Sequence, residues 1–242
     1  PSTMGRSGPG LPGGPPGSKG VWHGSNPGPM RGEKGSLVAG GIRVPLVGPP
    51  VAAAVRPPAA GADGLVVEGA EGGGFKNPKD VSTLVLLPLV RSRTDLPIIA
   101  AGGFTDGATM AAALALGAEA VQMGTRMVSA AESPVHQNWK DAIVSAKETD
   151  TVYLNRFHSP ALRALRTART TALEKEVEKN IWGEFGDAKA LYFGGDMEAA
   201  IALTGQVAGR IDAVKPVAEI LQAVHNECLE TLGKLAKQYL PQ

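Results

Sequence analysis

The sequence predicts an α/β fold, on two observations. A unit of short apolar strand, glycine turn and helix recurs through the middle of the chain, and two such units stand back to back over residues 97–126. In that stretch Pro97–Ala101 reads as a strand ending at Gly102-Gly103, and Asp106–Leu116 as an Ala/Leu/Met-rich helix stopped by Gly117. Ala120–Met123 reads as a second strand, ending at Gly124-Thr125. Strands alternating with helices imply a parallel sheet. Two parallel strands that each end in a glycine turn bring backbone N–H groups together, the arrangement that holds a phosphate. In (βα)8 barrels such a grip follows the last two strands.

Composition narrows the field. The chain has 242 residues, 43% hydrophobic and 19% charged, an ordinary globular balance with enough length for one sizeable domain. The formal net charge is +1. No basic stripe with interleaved aromatics appears, so nucleic acid is not an expected partner. No run of about 18 apolar residues predicts a membrane span, and no charged-then-apolar leader pattern opens the chain. Cys228 is the single cysteine, which rules out an internal disulfide and fits a reducing, cytoplasmic setting.

Taken in order, residues 1–60 contain 14 Gly and 12 Pro. Proline removes donors and glycine raises the entropy cost of order, so this segment is expected to be largely disordered. Trp22 and His23 within it are expected to be solvated. Val44–Val47 reads as a short strand and Val51–Val55 as a helix start cut off by Pro57-Pro58. From Gly61 the pattern becomes regular. Leu65–Val67 reads as a buried strand running into the glycine turn Glu68–Gly74. Asn77–Val90 reads as a helix or a loop plus helix, with Asp80 as N-cap. Ser133–Thr149 reads as a helix with Pro134 at its first position, Val152–Leu154 as an extra strand, and Ser159–Lys179 as one or two helices. Trp182–Phe193 is aromatic and irregular. Asp196–Ala208 and Lys215–Tyr239 read as helices. The domain boundary therefore falls at 60/61, with an ordered unit over 61–240.

The pieces Gly61–Gly69, Glu71–Gly74, Pro97–Gly107, Ala113–Ala118 and Val121–Arg126, followed by Gly195–Glu198 and Thr204–Gln206, together resemble the nitronate monooxygenases, formerly called 2-nitropropane dioxygenases. These are FMN-dependent (βα)8-barrel flavoproteins. Their superfamily also holds NAD(P)H:quinone reductases and flavin-dependent enoyl-acyl-carrier-protein reductases. The resemblance covers about three quarters of the chain. It implies the C-terminal portion of a TIM barrel with extra C-terminal helices, the N-terminal strands being missing or degenerate. It also implies FMN as cofactor and residue roles. Gly102 and Gly103 would let the backbone approach the FMN phosphate. Gln122, Met123, Gly124 and Thr125 would complete the grip, and Glu68 and Gly73 would touch the flavin from the neighbouring strand end. Arg126 either adds charge there or makes a surface or inter-loop salt bridge.

At one position the chain departs from the family. A histidine that lies near the flavin is replaced by Phe75, which can neither hold a proton nor carry charge. Acid–base work at this position is excluded, Phe75 is expected to line an apolar pocket, and no catalytic residue is assigned. Other candidates read as structural. His136 and His158 are expected at the surface or in capping roles, and His225 and Cys228, three apart on a helix, in packing, since zinc needs more ligands. Asp106 is expected to cap its helix. Arg163, Arg166 and Arg169 recur every third residue, as on a solvated helix face.

The implied activity is oxidation of alkyl nitronates by O2 to a carbonyl compound and nitrite. The alternatives are an NAD(P)H:quinone or enoyl-thioester reductase of the same superfamily, a truncated non-catalytic relative, and a barrel that uses the grip for another phosphorylated ligand. A small-molecule substrate is expected in each enzyme reading. No metal is expected, and the sequence carries no signal for oligomeric state.

Overall fold

A computed structural model describes residues 62–241 and the backbone of three strands before them, Met30–Glu33 (β1), Ser36–Ala39 (β2) and Ile42–Val47 (β3). β1, β2 and β3 form an antiparallel meander. β3 then pairs in parallel with Leu65–Glu68 (β4), β4 with Ile98–Ala101 (β6), and β6 with Ala120–Gln122 (β7), giving one sheet in the order β1-β2-β3-β4-β6-β7. A second, antiparallel sheet holds Gly74–Lys76 (β5), Ala161–Leu165 (β9) and Thr151–Leu154 (β8) in the order β5-β9-β8. The α/β class is as expected. Within 1–60 the expected strand Val44–Val47 is present as part of β3, while β1 and β2 were not foreseen. Trp22, His23 and Val51–Val55 lie outside the described residues.

Two helices link the parallel strands. Helix α1 (Thr83–Arg91) joins β4 to β6, and α2 (Gly107–Ala115) joins β6 to β7. They cover one face of the sheet. Leu65 and Val67 of β4, with Ile98 and Ala100 of β6, pack on Leu86, Leu87 and Val90 of α1 and on Ala113 of α2. Because strand side chains alternate, Val66 and Glu68, Ile99 and Ala101, and Ala120 and Gln122 point to the opposite face. Asp106 caps α2 through a capping box with Thr109, as expected. Asp80, expected to cap α1, is exposed and does not. Ser82 is the N-cap and makes no side-chain cap bond. The carboxylate of Glu71, reaching over from the glycine turn, accepts the Thr83 N–H at 3.0 Å instead.

The later chain differs more. A very short helix, α3 (Thr125–Val128), follows β7. The helix expected over Ser133–Thr149 is confined to Gln137–Val144 (α4), capped by His136 rather than begun at Pro134. Ser159–Lys179 is not continuous helix: β9 occupies Ala161–Leu165, with all five residues buried, and α5 covers only Ala168–Lys175. Ala, Leu and Arg favour helices by a few tenths of a kcal/mol each. Pairing with β5 and β8 on both sides outweighs that preference. Asp196–Ala208 is not an α-helix: it turns at 197–199, makes an isolated bridge from Ala200 to Gly186, and enters a 3-10 turn at Gln206–Arg210. Its apolar residues Ala200, Ala202, Val207 and Ala208 pack with Trp139 and Ile143 of α4 and Leu191 of the short helix Ala188–Tyr192 (α6). The terminal helix α7 (Val217–Tyr239) is as expected and lies along α2.

Candidate functional site

The parallel register pairs Glu68 with Ala101 and Ala101 with Gln122, so the C-terminal ends of β4, β6 and β7 lie side by side. In open parallel sheets this edge is where ligands bind. After β6 the chain turns through Gly102 and Gly103, both at positive φ (80° and 92°), a region that costs an L side chain about 1–2 kcal/mol. Gly102 also lacks room, since a Cβ there would stand 2.9 Å from the Gly72 nitrogen. At Gly103 the nearest atoms would be 3.6 Å away, and at Gly124 nothing lies within 4 Å. Gly124 thus presents its backbone to open space, Gly103 has ordinary clearance beside Glu71, and Gly102 is packed against the Glu68–Gly74 turn.

Thr125 completes the edge. It is buried, and its Oγ1 accepts the Gly205 N–H at 2.9 Å, which leaves its own hydroxyl proton to donate. The nearby carboxylates are occupied elsewhere. Glu71 binds Thr83 through both its N–H and its hydroxyl, and Asp106 caps α2 and pairs with Arg210. The residues present thus fit the phosphate end of a nucleotide: backbone amides at two glycine turns and a hydroxyl, with the Glu71 and Asp106 carboxylates engaged elsewhere. Arg126 does not join them. Its guanidinium is buried and donates to Ser129 Oγ (3.2 Å) and the Ala213 carbonyl (2.9 Å). It makes neither the phosphate contact nor the salt bridge expected of it: it joins two loops through hydrogen bonds to a hydroxyl and a carbonyl. Burial lowers its pKa, with Asp212 opposing.

Of the other residues assigned from the sequence, Gln122 is exposed at the end of β7 and Met123 is half-buried against the core. Gly73 packs backbone to backbone on Thr204-Gly205, where a Cβ would lie 2.7 Å from the Gly205 nitrogen. Phe75 joins an aromatic cluster, 5.7 Å from the Trp182 ring and 5.5 Å from that of Phe185. Being adjacent on β5, Phe75 and Lys76 face opposite ways. Lys76 is buried, with Nζ 2.7 Å from Glu68 Oε1. Burial lowers the Lys76 pKa from its ordinary value against the opposing pull of Glu68.

Arg163 overturns the reading of an arginine-rich solvated helix face. It lies on β9, is 7% exposed, donates Nε to the Ala70 carbonyl at 2.6 Å and rests over the Tyr153 ring. Arg166 pairs with Glu174, and Arg169 donates to the Glu184 carbonyl. His136 does cap, its Nδ1 accepting the Asn138 N–H, and half-buried His158 contacts the Glu178 carbonyl. Among the described residues no group of His, Cys, Asp and Glu could hold a metal ion, and no helix is long and apolar enough to cross a membrane. Sequence reasoning missed Lys76, Arg163 and Gly205 as members of this edge. The similarity at Thr204-Gly-Gln206 was the available signal for Gly205. Lys76 and Arg163 carried none, because their burial depends on the β5–β9 pairing.

The sequence model of the nitronate monooxygenase family matches residues 38–227. The chain belongs to the nitronate monooxygenase family. That span contains both glycine turns, Lys76 and the Thr204–Gln206 turn. Over 114 residues the chain is 42% identical to a (3aS,4S,5R,7aS)-5-hydroxy-7a-methyl-1-oxo-octahydro-1H-indene-4-carboxyl-CoA dehydrogenase of Rhodococcus jostii, covering 47% of this chain and 32% of that protein. It is 40% identical over 114 residues to a probable nitronate monooxygenase of Staphylococcus aureus, covering 44% and 32%. The matched stretch thus spans about a third of these relatives' length. Among solved structures, FabK from Thermotoga maritima superposes with a TM-score of 0.73 at 40% identity, covering 80% of this chain and 63% of FabK. Nitroalkane oxidase from Streptomyces ansochromogenes gives 0.65 at 27%, covering 81% and 60%. Family members and structural neighbours alike point to an oxidoreductase superfamily of flavin-dependent enzymes.

Proposed function

We propose that this chain is the C-terminal portion of a (βα)8 barrel that binds FMN by its phosphate and serves the oxidation of alkyl nitronates by O2 to a carbonyl compound and nitrite. The reading rests on one observation. The Gly102-Gly103 and Gly124-Thr125 turns adjoin at the ends of registered parallel strands, within a chain of this family. The amides of those turns and the Thr125 hydroxyl would hold the phosphate, with Gln122 and Met123 flanking it. Gly73 and Glu68 would meet the rest of the cofactor from the β4 end. Bound flavin supplies the redox chemistry, and the protein supplies position and exclusion of water. A nitronate arrives already ionised, so phenylalanine at position 75 is compatible with the reaction.

A second reading, a reductase acting on an enoyl thioester with NAD(P)H, is favoured by the identity levels: 40% to FabK against 27% to nitroalkane oxidase. The same experiment tests both. The purified chain is mixed with FMN, its flavin absorption and fluorescence are recorded, and NADH or an alkyl nitronate is added without oxygen. Bleaching by nitronate alone supports the monooxygenase, and rapid bleaching by NADH supports the reductase. A chain that binds no FMN overturns both and leaves a non-catalytic relative.

A further inference from the structure

Glu68, placed above at the cofactor, is paired with Lys76, a residue to which the proposed function gives no role. Glu68 ends β4 and points away from the helix-covered face, toward the strand mouth. Lys76 is 8% exposed, and its Nζ, 2.7 Å from Glu68 Oε1, makes no well-angled hydrogen bond. The turn is shaped around this contact, since a Cβ on Gly72 would fall 2.2 Å from Glu68 Oε1 and 2.5 Å from Lys76 Nζ. Glu71, from the turn, and Arg163, from β9, are the other charges acting on Lys76. The second oxygen of Glu68, Oε2, has no hydrogen-bond partner among the described residues, and the Glu68 side chain is 17% exposed.

With Oε1 held against the Lys76 ammonium, the remaining Glu68 oxygen is left as a hydrogen-bond acceptor. Adjacent strands lie about 5 Å apart, so Glu68 stands roughly 5–10 Å from the glycine turns of β6 and β7. That is the reach from a flavin's phosphate to its ribityl chain and ring. We propose that Lys76 is a positioning residue, holding the Glu68 side chain so that its partner-free oxygen accepts an O–H or N–H donor from the non-phosphate part of the flavin. This inference rests on the FMN reading above and adds a residue, Lys76, and a polarity to it.

The test compares FMN with riboflavin, which lacks the phosphate, by fluorescence quenching on the full chain and on K76M, K76R and T125V. K76M is expected to weaken both ligands by the same factor, about tenfold, as for one hydrogen bond to a charged group. T125V is expected to weaken FMN alone, and K76R to stay within about threefold of the parent. Wild-type affinity for both flavins is expected to fall as pH rises through the lowered Lys76 pKa, below 10.5, while K76R shows no such fall. The proposal is overturned if K76M leaves both affinities unchanged, if it weakens FMN but not riboflavin, or if K76R is as weak as K76M. Should K76M fail to fold, the alkaline profiles of wild type and K76R decide, and parallel profiles overturn it. A chain that binds neither flavin defeats the FMN reading and this inference together. One that binds both but oxidises no nitronate defeats only the assigned reaction.

Discussion

Gly102 and Gly103 look alike in the sequence, yet the structure asks different things of them. Both need positive φ, but only Gly102 is also crowded, by Gly72 and Gly69. Gly103→Ala is expected to cost about 1–2 kcal/mol from backbone strain alone, and Gly102→Ala more, a difference readable in urea unfolding midpoints. Thr125 carries a different load. Thr125→Val leaves the Gly205 N–H without its acceptor, and a stability loss of about 1–3 kcal/mol is expected from that orphaned donor, alongside the weaker FMN binding. Tyr153 sets an alkaline limit. Burial first, then Asp80, pushes its phenol up to about 12, against Arg163 and Arg156. The unfolded phenol releases its proton first, near pH 10. The native state then holds the extra proton, so stability present below pH 10 is lost as pH rises toward about 12. Urea midpoints across that interval should fall more steeply for wild type than for Tyr153→Phe. Equal slopes would contradict the assignment.

At the scale of elements, helices whose signals are local were legible and those whose limits are tertiary were not. The capping box of Asp106 and Thr109 lies within four residues, and α2 was read to within a residue or two at each end. The N-terminus of α1 is held by Glu71, twelve residues upstream, which no local pattern announces. Glu71→Ala is expected to destabilise the protein by about 0.5–2 kcal/mol, the cost of a lost cap, with amide exchange rising first at the start of α1. Helix α7 depends on close approach. A Cβ at Gly107 would fall 2.3 Å from the Cys228 nitrogen, while Glu227 accepts the Gly107 N–H at 2.8 Å. Gly107→Ala is expected to push α7 off α2 at a cost of about 1–3 kcal/mol, seen as a lower thermal midpoint. β9 failed as a sequence reading because Ala-Leu-Arg-Ala-Leu satisfies a helix as well as a strand. Only its two neighbours decide.

Across the whole molecule, the sequence determined the α/β class, the three glycine turns at strand ends and the adjacency of the last two. Each of these is written in contiguous residues, as apolar runs punctuated by glycine. It also carried enough of the family's pattern for the candidate phosphate edge to be named residue by residue. Tertiary structure alone decided what surrounds that edge. It knitted the Glu71 turn, Thr125 and the Thr204–Gln206 turn together through the Gly205 and Gln206 N–H groups, turned Arg126 away, and buried Lys76 and Arg163 on one face of an antiparallel sheet whose strands lie far apart in the chain. A turn's backbone conformation is set by the few residues in it. The burial of a charge is set by whichever distant segments pack over it, and that information is spread across the chain in pairings that no single stretch displays.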